Sequence, residues 1–148
     1  MDPEPADPSG APVYPKLVEL NVDECVRLLR THHFGRLAFA SEGWPLVLPV
    51  NYVFDGKSVI IRTAPGAKMD DAPMTPVAFE IDEAAPDGKW GWSVHIRGIA
   101  LNVTDSIDPY SESNREQPVD PWAPGPKPNW LRVAATHVTG RRFGNPPP

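Results

Sequence analysis

Residues 34–63 read FGRLAFASEGWPLVLPVNYVFDGKSVIIRT. GRLAFA (35–40), WPLVLPVNYVF (44–54) and KSVIIRT (57–63) have the alternation, run length and β-branched or aromatic content of strands, not of a helix. Ser41-Glu42-Gly43 separates the first two runs and Asp55-Gly56 the last two. An Asp-Gly pair between apolar runs is a strong hairpin signal, because both residues tolerate the positive φ that a tight turn between twisted strands requires. Three strands in succession, each turning back on the last, set an antiparallel β-architecture.

Upstream, NVDECVRLLRT (21–31) changes to the helical period. Asn21 is placed as N-cap with Glu24 three residues on, the two partners of a capping box. Val22, Cys25, Val26 and Leu29 are expected to form the buried stripe, and Asp23 and Arg27 an i, i+4 pair on the other side. Downstream, strands are expected at PVAFEID (76–82), WGWSVHIRGIALNV (90–103) and, once or twice, within NWLRVAATHVTGRRF (129–143). In the second of these, Trp92, Val94 and Ile96 share one face, and Ser93, His95 and Arg97 the other. After Gly98 the apolar residues move to Ile99, Leu101 and Val103, so a bulge or bend is expected there. Six or so short antiparallel strands behind one helix mean a small β-barrel or sandwich.

At 148 residues the chain is expected to form a single domain, at 16–143. Five of its 20 prolines lie in residues 1–15, and residues 144–148 read GNPPP; both segments have too little apolar content to offset ordering entropy and are expected to be disordered tails. The Pro-rich run QPVDPWAPGPKPNW (117–130) differs, because Trp122 and Trp130 give it something to pack. Nineteen acidic residues against 14 Lys and Arg give a formal charge of -5, so neither nucleic acid nor an anionic membrane is an expected partner. The lone Cys25 allows no internal disulfide or thiolate metal cage, and adjacent His32 and His33 complete no ligand spacing, so no metal is expected. With no long apolar span and an acidic, Pro-rich start, a cytoplasmic location is expected.

The chemistry concentrates in IIRTAPGAKMDD (60–71). A strand ends at Arg62-Thr63, the chain turns at Pro65-Gly66, and a short helix is expected from Ala67 or Lys68. That gathers a guanidinium, a hydroxyl, an ammonium and helix amides, each a good partner for phosphate. No nucleophile elbow, GxGxxG or P-loop accompanies it.

PVNYVFDGKSVIIRTAPGAK, PVAFEID, WGWSVHIRG and HVTGRRF, in that order from about Leu20 to Phe143, resemble the pyridoxamine 5'-phosphate oxidase-related flavin-binding family, in particular its small nitroimidazole-resistance-like branch. The resemblance implies a six- to seven-stranded antiparallel split β-barrel with one N-terminal helix and one or two short ones. It implies a homodimer holding FMN at its interface. The cofactor phosphate then falls to Arg62, Thr63 and Lys68, with Ile61 on the same strand. Pro49, Val50 and Asn51 pass under the ring, the partner subunit's strand contributes Trp92 and Ser93, and Arg141 is a further flavin contact. Trp92, Trp122 and Trp130 are suited to covering a flavin or an aromatic substrate. No catalytic side chain is assigned, since hydride transfer belongs to the cofactor.

The implied activity is an FMN-dependent oxidoreductase for a small conjugated or electron-poor molecule, with a reduced pyridine nucleotide as donor. Two alternatives stay open: a deazaflavin coenzyme in the same fold, and a flavin-, haem- or tetrapyrrole-binding protein without turnover. The oxidase proper clamps its substrate with a basic C-terminal segment, which GRRFGNPPP does not supply, so pyridoxamine phosphate oxidation is not implied.

Overall fold

The computed structural model describes residues 8–11 and 14–147. Most of the expected N-terminal tail therefore lies outside the described residues. Among those described there are nine strands and three helices: β1 (Val18–Glu19), α1 (Val22–Thr31), β2 (Phe34–Ser41), β3 (Trp44–Asn51), β4 (Val53–Phe54), β5 (Ser58–Thr63), α2 (Ala67–Asp70), β6 (Pro76–Ala84), β7 (Gly91–Asn102), α3 (Pro109–Arg115), β8 (Asn129–Ala134) and β9 (His137–Phe143). Seven strands have six or more residues, and all named strand pairs are antiparallel.

The run expected as one strand at 44–54 is two. β3 pairs with β2, from Phe34↔Asn51 to Ser41↔Trp44, around a turn in which Glu42 and Gly43 have φ of 52° and 82°. β4 pairs instead with β5 across the expected Asp55 hairpin, where the Asp55 carboxylate accepts from the amides of Lys57 and Ser58, 2.8 Å each. Between them Tyr52 donates its amide to the carbonyl of His33 (2.9 Å). The strand order is β3-β2-β6-β7-β8-β5-β4, so its two ends are consecutive pieces of chain joined through Tyr52. A sheet whose first and last strands are neighbours in sequence has to curl closed. The chain is a split β-barrel.

β7 is the strand along which the barrel splits. One edge pairs with β6 without interruption, from Ala84↔Gly91 to Pro76↔Ile99. The other edge pairs with β9 from Gly91 to Arg97 and with β8 from Ala100 to Asn102. Gly98 stands at the change of partner, where a Cβ would overlap the carbonyl oxygen of Ala134. The expected bend is there, but the inward face does not switch: Trp92, Val94, Ile96 and Ala100 are all buried, while Ile99 stays on the outer face and is exposed. The apolar shift in sequence marks an outer surface that becomes apolar, without a bulge against β6.

α1 has both capping-box bonds, Glu24 N to Asn21 Oδ1 (2.9 Å) and Asn21 N to Glu24 Oε2 (3.3 Å). Such a cap contributes about 0.5–2 kcal/mol. Its buried side is Cys25, Leu28 and Leu29; Val22, expected in that stripe, is 60% exposed because the first turn overhangs the barrel end. Asp23 and Arg27 form no ion pair. α3 lies in the expected loop region after β7; Asp108 caps it through Ser111 N (3.0 Å), with Pro109 in its first turn. Asn114 and Ser111 of α3, both buried, bond the Arg132 guanidinium (3.0 and 3.1 Å), and Tyr110 donates to Asp55 (2.8 Å), fastening the helix across β8 and the β4–β5 turn.

On the outer face of the sheet, cross-strand neighbours Arg36, Glu80, His95 and Thr139 form a row. Arg36 Nη1 bonds both Glu80 Oε2 (3.1 Å) and Asp82 Oδ2 (3.3 Å). Burial, then the adjacent Asp82, push the Glu80 carboxyl up to about 7 against the opposing pull of Arg36.

Two outcomes follow from this architecture. Gly98→Ala is expected to cost about 1–3 kcal/mol by forcing β7 from β8, roughly 2–12 °C in Tm for a chain of this size. A change below about 1 °C by calorimetry would mean that the strands part freely there. For Glu80 the folded-state pKa is raised, so its contribution is fully present below the ordinary carboxylate range and is lost as pH climbs through about 7. The Tm of Glu80→Gln is expected to rise relative to the parent between pH 5 and 8; parallel Tm–pH curves would refute that linkage.

Candidate functional site

β5 delivers Arg62 to the surface because neighbouring strand residues point to opposite faces. Arg62 is exposed, whereas Ile61 and Thr63 are buried, and the Thr63 hydroxyl donates to the Ala64 carbonyl (3.3 Å). Across the ladder, Arg62 faces Trp130 of β8, with its guanidinium carbon 5.7 Å from the ring centroid. Its Nε donates to the carbonyl of Lys127 (2.9 Å), which leaves the two terminal nitrogens of the fork uncommitted.

After Thr63 the chain turns through Gly66 into α2, a single turn as its residues suggest, with the amides of Met69 and Asp70 both directed to the Gly66 carbonyl (2.9 Å each). Lys68 on this turn is half-buried and has no hydrogen-bond or ion-pair partner among the described residues. Burial first, and then the charge of Lys127, hold its ammonium below the usual range. The nearby acid Asp71 accepts from Ser41 Oγ (2.7 Å).

Lys127 was not among the residues expected from sequence. It sits in the Pro-rich segment between α3 and β8, and its ammonium caps the carbonyls of Pro124 (2.8 Å) and Gly125 (3.1 Å). The motif signal lay in β5 and α2; a lysine 59 residues after Lys68 enters this region because β8 pairs beside β5. Three cations from three segments, β5, α2 and the 117–130 run, thus converge. That arrangement suits a phosphate dianion, which would relieve the desolvated Lys68 and engage the free fork of Arg62.

The same Pro-rich run reaches the residues placed under the ring. The amide of Trp122 donates to Asn51 Oδ1 (2.9 Å), and its indole stacks on Phe34 with centroids 4.9 Å apart and planes 10° apart. Trp122 remains 69% exposed, an open aromatic surface. On β3, Pro49 is exposed and Val50 buried. Arg62 and Trp130 therefore come together, Lys68 is linked to them through Lys127, Thr63 and Ile61 on the same strand turn inward, and Asn51 is tied to the same loop.

Trp92, Ser93 and Arg141 lie on the other branch of the split sheet. Ser93 pairs with Asp82 on one side and Arg141 on the other, facing outward. Trp92 points inward, its ring edge-on to His32 (centroids 4.8 Å apart). Among the described residues, no helix is long and apolar enough to cross a membrane.

Comparison with known proteins places this geometry. The family model described as pyridoxamine 5'-phosphate oxidase matches residues 21–142. An uncharacterised protein of Mycobacterium tuberculosis is 34% identical over 135 residues, covering 86% of each chain. Among solved structures, an FAD-binding protein from Mycobacterium smegmatis superposes with a TM-score of 0.69 at 32% identity, over 86% of this chain and 98% of that one. An FAD-binding protein from Mesorhizobium loti shares the fold at 24% identity, with a TM-score of 0.71 over 88% of this chain and 99% of the other. The matched span runs from the Asn21 cap of α1 to Arg142 of β9, taking in all of the sheet but the two-residue β1 and the end of β9, with the three cations: the chain belongs to the pyridoxamine 5'-phosphate oxidase family.

Proposed function

We propose that this chain is a flavin-binding oxidoreductase that works as a homodimer, with FMN as its cofactor. The observation that carries the reading is the convergence of Arg62, Lys68 and Lys127 at the end of β5. Lys68 is partly desolvated and has no acidic partner among the described residues, so an anion is the complement the site calls for. FMN brings one phosphate and a flat ring; the phosphate suits the cations, and the ring suits the polar and aromatic surface of Asn51, Trp122 and Trp130. When bound, the flavin supplies hydride transfer. The chain's own groups orient the ring and hold the phosphate charge: Arg62 by its two free nitrogens, Lys68 as a point charge.

The split of the sheet supports the dimer. Ser93 and Arg141 face outward on the branch away from the cation cluster of their own chain, and a second copy is a route by which they could face the site; Trp92, buried and turned inward, is not available for that contact. The apolar outer surface around Val47 and Ile99, both exposed, is of the kind a twofold partner covers. Substrates are small conjugated or electron-poor molecules stacked on the exposed ring. A second reading, FAD, is favoured by the third cation, Lys127, and by the open Phe34–Trp122 stack, which would suit a second phosphate and an adenine; the relative at 32% identity is an FAD-binding protein. A deazaflavin coenzyme or a carrier without turnover would use the same cations; the absorbance of the purified protein separates flavin from deazaflavin, and steady-state oxidation of a reduced donor with a panel of acceptors separates enzyme from carrier.

A charge-assisted hydrogen bond contributes about 1.5–3 kcal/mol, so loss of one weakens binding roughly ten- to hundred-fold. Arg62→Ala and Lys68→Ala are expected to lose that much affinity for FMN, remain dimeric by sedimentation, and keep parental affinity for riboflavin, which lacks the phosphate. Equal losses for both ligands would assign these residues to the fold instead. Lys127→Ala is expected to weaken FAD more than FMN if FAD is the natural cofactor. A flavin-loaded monomer at micromolar concentration would overturn the dimer.

A further inference from the structure

A cavity of about 570 Å³ lies at the opposite branch of the split sheet, between α1, the start of β7 and the C-terminal residues. None of its lining residues comes from β5, α2 or the 117–130 run. Its volume falls within the range of about 300–1,000 Å³ typical of small-molecule sites. The apolar part of the wall is Leu20, Leu28, Trp90, Trp92 and the prolines 146 and 147. The charged part is two cations and two carboxylates, and their commitments differ.

Glu24 is held by its capping bond to Asn21 N (3.3 Å), and Glu83 lies 3.7 Å from His32 Nε2. His32 is itself fixed by a bond of 2.8 Å from Nδ1 to the Leu28 carbonyl and by its edge contact with Trp92. Glu24 therefore has a partner within the chain, and Glu83 has one when His32 is protonated. Arg142, cross-strand from Trp92, spends one nitrogen on the Gly144 carbonyl (3.3 Å) and has the rest of its fork free. Arg27 reaches the cavity from α1, and its guanidinium has no hydrogen-bond or ion-pair partner among the described residues. The two guanidinium groups, neither in an ion pair among the described residues, reach the cavity from two walls.

We propose that this cavity binds a small planar, conjugated carboxylic acid, held between Arg27 and Arg142 with its ring system against Trp90 and Trp92. A single negative charge fits better than a phosphate dianion, because Glu24 and Glu83 line the same space and would repel the second charge. Trp90, Trp92 and Leu28 on the remainder of the wall favour a conjugated body over a sugar or a short polar acid. The bond from Arg142 to Gly144 ties the terminal segment down as one wall, so Asn145–Pro147 bear on the site's shape.

The test compares 2-naphthoate with 2-naphthamide, of nearly the same shape but neutral, on the full-length protein as purified, by calorimetry and tryptophan fluorescence. Naphthoate is expected to bind at least about tenfold more tightly than the amide, since one charge-assisted hydrogen bond is worth that much. Arg27→Gln, on an exposed helix position, and Arg142→Gln are each expected to remove most of that preference and leave naphthamide within about twofold, by the same reasoning. A chain ending at Gly144 is expected to bind both probes more weakly with its flavin content unchanged. Equal affinity for the two probes, binding of neither, an Arg27→Gln variant that binds naphthoate as the parent does, or displacement of naphthoate by FMN would each overturn the assignment. The last result would place the acid at the β5 cations and leave the flavin reading standing.

Discussion

Tyr52 is one residue long as a link between β3 and β4, and most of the architecture depends on what it joins. β3 and β4 stand at opposite ends of the strand order, so a single residue has to span the seam of the barrel. Its amide bonds the His33 carbonyl, its hydroxyl donates to Leu29 O (2.8 Å), and its ring packs edge-on against Phe79 at 4.8 Å. Backbone, hydroxyl and ring thus tie the seam to the turn before β2, to α1 and to the core strand β6. Burial pushes the phenol pKa well above its ordinary value, so the hydroxyl remains a donor and the tie holds throughout the working pH range. Burying a phenol without a partner costs a few kcal/mol, and the Leu29 carbonyl removes that cost.

The site geometry is a consequence of this closure. Curling the sheet brings β8 beside β5, and β8 carries with it the Pro-rich segment that ends in Lys127, Asn129 and Trp130. The same segment then crosses to Asn51 and Phe34, on the β2–β3 side of the seam. The phosphate-binding role proposed for Arg62 and Lys68 therefore draws on more than a local motif: the loop beside them is held by pairing on one strand and by a side-chain bond on another. At the far branch, where β7 begins and still pairs with β9, α1 and the terminal residues enclose a separate cavity. One split in one strand separates the two regions.

Much of this was legible in the residues themselves. The α1 cap was written by Asn21 and Glu24, the β4–β5 hairpin by Asp55-Gly56, and the one-turn helix by Pro65-Gly66 and the residues that follow. Each is a local signal, decided by backbone preference and by hydrogen bonds within three or four positions. The alternation of Trp92, Val94 and Ile96 likewise reported the inward face of β7. Arg62 and Lys68 could be singled out as candidates because they sit six residues apart at a strand end and the turn that follows it.

What only the tertiary structure decided concerns partners far apart in sequence. The break at Tyr52 was hidden because Val50, Tyr52, Val53 and Phe54 around it all favour strands; the bond to His33 marks where one strand ends and another starts. The outward position of Ile99 was misread because an apolar residue after a glycine looks the same whether the inner face shifts or the outer face turns apolar, and the pairing with β6 settles it. Val22 fell outside the buried stripe because helix periodicity says which residues share a side but not how far the barrel extends beneath them. Lys127 joined the cations for a similar reason: its neighbours come from strand pairing across some 60 positions, and local sequence has no means to express that.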